Sequence, residues 1–408
     1  VALFVPDPED FDPQDLISDL SFELAERYRD VEDQLIAEIA QRAYRDLDLA
    51  ARLPTDPGGL GLTAADRRQQ NRILAELAAN RARAIRELQE QAVAMIEQLR
   101  SGASAEAFVR IAVEQGEAAA VASLGLGGVR GSLAQIPALT AYSSTYSVAG
   151  AIVAVSLQNR LEALNERITR YPQDAYQRIV ALTSPKTILG VNTQLRSQQE
   201  IVRNFLRAGI DGFTDRSDRR WSIGAYAEMA SRTSAQRAMN DATAYRLQQG
   251  GLNLGTITGG FDACDKCAPW IGKIISLDGS PAGPRTLPHA TQNTTVTIYV
   301  AGSLDDARAA GWGHPNDRCG ISGYHVGLPV PQADFEYNAK ADAERQEQRA
   351  LEREVRAAKR DLATAPNDIE RRRAHRDIAA AQAELRDFTR RTGRHRQSYR
   401  EQLGFSGG

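Results

Sequence analysis

The stepping of apolar residues constrains this chain more than any other feature. Leu20, Leu24, Tyr28, Val31, Leu35 and Ile39 fall three and four residues apart, the repeat of one face of an α-helix. The pattern predicts an amphipathic helix with Asp12 as cap and Pro13 in its first turn, running to about Leu49. Pro54-Thr55-Asp56-Pro57-Gly58-Gly59 breaks it. Thr63, with Asp66 three residues on, opens a second helix through Leu74, Leu77, Ile85, Leu88, Met95, Ile96 and Leu99 to Gly102. Two long helices joined by a Pro/Gly turn predict an antiparallel pair, and a shorter helix follows Ser104. Leu139 to Arg170 is again helical, punctuated by Tyr171-Pro172, resumed over Ala175 to Leu182 and ended by Ser184-Pro185. Near the C-terminus, Leu351, Val355, Ala358 and Leu362 form one apolar seam and Ala374, Ile378, Ala381, Leu385 and Phe388 a second. Heptad-like seams around Pro366-Asn367 predict a helical hairpin of coiled-coil character.

The middle of the chain has a different texture. Gly125-Leu126-Gly127-Gly128-Val129-Arg130-Gly131 follows no credible strand and lacks the Lys-Ser/Thr of a phosphate loop, so it reads as a hinge. Helices are expected over Ser197 to Ala208 and Gly224 to Gln249, the latter closed by Gly250-Gly251. Thr256-Ile257-Thr258, Ile274-Ile275 and Thr295 to Val300 are strand candidates, making 250–330 the only α+β part. The expected fold is therefore mainly α: long antiparallel helices, a small α+β module clipped by Cys and His, and a C-terminal helical hairpin. The corresponding divisions are 1–60 (arm and helix), 61–190 (helical, with the hinge), 191–330 (the clipped module) and 331–408 (the hairpin).

Composition narrows the function classes. An apolar fraction of 42% with only 6% aromatics fits long helices with thin cores. A net charge of −2 exerts no global pull toward nucleic acid or anionic lipid. The longest apolar run, Val148 to Val155, is interrupted by Gly150 and is too short for a bilayer, so no membrane partner is expected. The N-terminus has no signal-peptide pattern, and three cysteines are too few for a disulfide scaffold, which points to a chain made in a cytoplasm.

All three cysteines lie in one stretch, as Cys264-Asp265-Lys266-Cys267 and, well downstream, His314-Pro315-Asn316-Asp317-Arg318-Cys319. Zinc favours a tetrahedron of thiolates and imidazoles, and four protein ligands make a closed, structural site. Cys264, Cys267, His314 and Cys319 supply such a set, with Asp317 as the alternative ligand and Asp262, His289 and His325 in reserve. The ion would close a loop of about fifty residues, whose closure is costly in chain entropy. A disulfide from Cys264 or Cys267 to Cys319, or three plain buried thiols, are the readings without metal. Catalysis is not expected. A zinc deaminase needs an upstream His-x-Glu, but no histidine precedes Cys264, and the His-Glu-x2-His of zinc proteases is absent. Arg219, Arg220, Lys266, Lys273 and Arg318 are the candidate nucleic-acid contacts, while Trp221, Trp270 and Trp312 are expected as core anchors.

Several runs together carry a family resemblance. They are Gly209-Ile210-Asp211-Gly212-Phe213-Thr214-Asp215, Arg220-Trp221-Ser222, Tyr226-Ala227-Glu228-Met229-Ala230, Arg232-Thr233, and Cys264-x2-Cys267-Ala268-Pro269-Trp270-x-Gly272-Lys273. With the Arg/Glu-rich tail from Gln348 to Arg360, they resemble tailed-phage minor capsid protein 2, a group related to the Mu-type head-morphogenesis proteins. The resemblance covers about 195 to 395. The family closes its module with His-Pro-Asn-Cys-Arg-Cys, and this chain carries Asp317 where the first of those cysteines stands. The resemblance implies a structural virion protein of the portal vertex, assembled in the host cytoplasm and present in several copies. Its implied partners are the portal protein, other head or scaffold proteins, further copies of itself and genomic DNA. Its implied role is in head assembly and genome packaging or delivery.

Overall fold

A computed structural model describes residues 13–54, 61–101, 104–126, 148–188, 195–207, 211–214 and 220–403. Asp12, most of the Pro/Gly break after Leu53 and the glycine hinge beyond Leu126 lie outside the described residues. The chain forms two compact units, each closed from separated segments. One holds residues 25–102, 162–227 and 347–408, the other 1–24, 103–161 and 228–346.

In the first unit, residues 25–50 of α1 (Pro13–Ala50) run antiparallel to α2 (Ala64–Arg100), as the sequence predicts. Leu49 and Ala50 pack with Ile73 and Leu77, Asp46 pairs with Arg81, and Arg42 with Glu87, so one position falls as the other rises. Thr63 caps α2 in a two-way box: the Asp66 N–H donates to Thr63 Oγ1 (3.1 Å), and the Thr63 N–H to Asp66 Oδ2 (3.2 Å). By the same logic α4 (Val148–Ile188) runs antiparallel to α2, with Arg100 on Glu162 and Gln89 on Gln173.

The breaks expected at Tyr171-Pro172 and Ser184-Pro185 do not occur; α4 is continuous through both. A proline inside a helix costs about 3 kcal/mol. Ile168, Ala175, Tyr176 and Ile179, buried on either side of Pro172, hold that turn helical. After α5 (Leu195–Arg207), the pair β1 (Asp211–Thr214) and β2 (Arg220–Ser222) puts strand outside 250–330, which corrects the expectation that strand is confined there. The C-terminal hairpin forms from α8 (Ala339–Ala363) and α9 (Asp368–Thr392), with Val355, Ala381 and Leu385 in its seam and Asn367 capping α9.

The second unit is built on a small sheet. Helix α3 (Ala105–Leu126) crosses α6 (Ile223–Gln249) so closely that a Cβ on Gly116 would overlap the Met239 carbonyl oxygen. Strand β3 (Leu254–Thr258) lies between β4 (Ile274–Ser276) and β8 (Gly320–Gly323), antiparallel to both, and β7 (Gly302–Ser303) adds in parallel to β4. Alternation divides its side chains between two cores. Ile257, Ile275 and Ile321 join Leu247, Cys267, Trp312 and Cys319 on one side, whereas Leu254 and Ile274 join Ile298, Val300 and Tyr324 on the other. Strand β6 (Thr295–Val300) pairs with β5 (Gly283–Pro288), which the sequence does not announce because Pro284 and Pro288 argue against a strand. The short α7 (Leu304–Ala309) opens on a Ser303/Asp306 capping box, a signal that was readable.

Candidate metal centre

Strand pairing explains why residues fifty positions apart meet. β3 leads into the first cysteines and β8 leaves the last, and Thr258 pairs with Gly320, so both halves of the stretch emerge at one end of the sheet. On the first half, the Ala268 N–H donates to Cys264 O (3.0 Å) and a 3-10 turn follows over Ala268–Trp270. Gly272 then takes a left-handed conformation (φ 70°), with the Gln332 backbone where its Cβ would stand. On the second half, Gly313 (φ 75°) and Asn316 (φ 68°) turn the chain back after α7, and the Asp317 N–H donates to His314 O (2.9 Å).

The ligand-capable atoms of Cys264, Cys267 and His314 lie within 4.8 Å of one another, and so do those of Cys267, Asp317 and Cys319. Cys267 belongs to both groups. Cys264 Sγ is 2.9 Å from His314 Nε2. His314 Nδ1 is 2.8 Å from the Pro315 carbonyl oxygen, which can only accept. In the neutral ring Nδ1 therefore carries the hydrogen and Nε2 offers its lone pair to the sulfur side, the tautomer a metal ligand needs. Cys319 is fixed from behind, its carbonyl accepting from Gln236 Nε2 (3.1 Å) and Asn240 Nδ2 (3.0 Å). Thr233 Oγ1 accepts the Asn316 N–H (3.2 Å).

The Cys267 and Cys319 thiols are held in their protonated form. The Cys319 hydrogen bond and burial push Cys267 far up. The Cys267 hydrogen bond pulls Cys319 down, but burial and the Asp317 charge outweigh it and raise the thiol. His314 is raised by its hydrogen bond with Cys267, against the opposing effect of burial. An incoming cation must displace those protons, so binding weakens as pH falls. The first group offers two sulfurs and an imidazole and the second two sulfurs and a carboxylate, donors of the kind zinc takes.

The remaining sequence candidates lie apart from the two groups. Asp262 reaches Arg345 (4.0 Å), His289 accepts from the Thr291 N–H, and His325 Nε2 sits 2.9 Å from Ser123 O. Lys266 and Lys273 are exposed, Arg318 is half-buried, Arg220 lies in β2, and Arg219 is outside the described residues. Trp312 is a core residue and Trp270 packs over Gly302. Reading the sequence missed Gln236 and Asn240, although two amides one turn apart on a buried helix face were a usable signal.

A family model for phage minor capsid protein 2 matches residues 62–390, from the cap of α2 into the last turn of α9 and across the whole Cys/His stretch. The chain belongs to the phage minor capsid protein 2 family. No curated protein and no solved structure matches it. The membership makes this minor capsid protein a structural component of a phage virion, working among other head proteins. The resemblance first carried by 195–395 thus extends toward the N-terminus. Among the described residues, no helix is long and apolar enough to cross a membrane. Motif residues of the minor capsid protein also acquire physical roles: Glu228 and Arg232 form a partly buried ion pair, and Gly272 makes room for Gln332.

Proposed function

We propose that this minor capsid protein acts at the portal vertex of a tailed-phage head, in several copies. There it contacts the portal and other head or scaffold proteins and supports assembly and genome packaging or delivery. The family match over 62–390 carries this reading. Within it, Cys264, Cys267, His314 and Cys319 hold one structural zinc ion that clips the sheet unit, and no catalytic role is assigned. The two overlapping groups at the end of β3 and β8, joined at Cys267, support the clip. Mass spectrometry of purified virions should find the chain in stoichiometric, low copy number. Its absence from mature particles, with normal heads after deletion, would sink the structural role. Elemental analysis should give about one zinc per chain.

A second reading, a zinc module that touches packaged DNA, draws on the exposed Lys266 and Lys273 beside the cysteine turn. It requires an affinity for DNA that falls steeply with salt and weakens in a K266A/K273A variant. No binding at low salt rejects it.

A further inference from the structure

Asp317 is buried at 4% exposure, and its carboxylate is consumed by its own loop. Oδ1 accepts the N–H groups of Arg318 (2.7 Å) and Cys319 (3.0 Å) and the thiol of Cys267 (3.2 Å). Oδ2 accepts the N–H of Gly313 (3.1 Å). A carboxylate offers about four acceptor positions, so little is left for a cation. The three amides bracket the turn, Gly313 just before His314 and Arg318 and Cys319 at its far end, and the Asp317 N–H to His314 O bond closes it.

We propose that Asp317, not the ion, sets the backbone of Gly313–Cys319, presenting His314 and Cys319 in binding position in the metal-free chain while staying outside the ligand set. The identity of the ligands rests on the zinc reading above; the shaping of the loop does not. To coordinate a cation, Asp317 would have to abandon these amides, and that of Cys319 is buried away from water. Small zinc modules are commonly unfolded without metal. Here the second half of the site keeps its shape, and metal binding is separated from folding.

The test is hydrogen exchange at single amides of the full chain, zinc-loaded and chelated, for wild type, Asp317→Ala and Asp317→Asn. Chelated wild type should keep slow exchange at Gly313, Arg318 and Cys319. In Asp317→Ala these amides should exchange about tenfold faster or more in both states, the loss of one hydrogen bond each, with β3 still protected. Asp317→Asn keeps an acceptor for Arg318 and Cys319 but turns a donor toward Gly313, so only Gly313 should speed up. Cobalt(II) added to the metal-free protein should give the same ligand-field bands in wild type and Asp317→Asn.

If chelated wild type exchanges as fast as Asp317→Ala, the ion shapes the loop and the proposal is wrong. Altered cobalt bands in Asp317→Asn would make Asp317 a ligand and likewise overturn it. If wild type takes up neither zinc nor cobalt, the zinc reading fails. The comparison of amides between wild type and Asp317→Ala still decides what shapes the loop.

Discussion

At Gly272 the backbone is left-handed (φ 70°) and the space for a side chain is filled by the Gln332 carbonyl. Gln332 is itself left-handed (φ 55°), and its amide takes the Gly259 N–H (3.0 Å) and returns a bond to Gly259 O (2.8 Å). Gly272→Ala must strain the backbone and displace this clamp, and should lower stability by about 3 kcal/mol or more in a denaturant titration. Asp30 shows the reverse case. Its Oδ1 is buried without a partner, and burial, with Glu26 and Asp33 nearby, pushes its pKa up to about 6. The folded chain therefore holds this proton more tightly than the unfolded one. That contribution to stability is full below the ordinary value of 3.8 and is lost as pH rises through about 6. Asp30→Asn should stabilise the protein above pH 6 by about 1 kcal/mol, given partial solvent screening, and flatten its pH dependence between 4 and 6. Unchanged melting curves at pH 7 would contradict this. The cysteines could be singled out from sequence because there are only three, and Asp317 because it stands where the family's closing motif carries a cysteine. Gln332 could not, since nothing local reveals that it meets Gly259 and Gly272.

At the scale of elements, periodicity carried α1, α2 and the hairpin, because a one-sided apolar face needs only local information. It failed where tertiary burial overrode a local signal: Pro172 stays helical, and Pro284 and Pro288 stay in a strand. The crossing of α3 and α6 adds a requirement no period contains. Thr243 Oγ1 donates to Gly116 O (3.0 Å) across it, and Gly116 has Met239 backbone at its surface. Gly116→Val should force the helices apart and cost about 3 kcal/mol, read as a lowered denaturation midpoint, with helical content retained in the native baseline. In the hairpin, Leu385 is fully buried, and Leu385→Ala should cost about 2–5 kcal/mol by leaving a cavity in the seam.

For the whole molecule, each unit closes from segments far apart in the chain. Ala120 shares a core with Ile257 and Cys319, so a stripe on α3 announces a face without naming what covers it. The zinc reading makes the two units respond differently to chelation. Calorimetry should show a transition that falls when metal is removed, by about 4 kcal/mol where free zinc had stood near 1,000 times Kd, and another that does not move. A single transition indifferent to chelator would remove the clip. One further property concerns crowding, the condition of any chain packed among others in a particle. Among the described residues β5 pairs only with β6, which leaves its outer edge open. Proline survives in a paired strand only where its nitrogen points away from the partner, so residues 284, 286 and 288 face that edge, and two of the three are proline. Thr286 alone has an N–H to offer an incoming strand there. The edge is chemically blunted against the addition of a strand from a neighbouring chain.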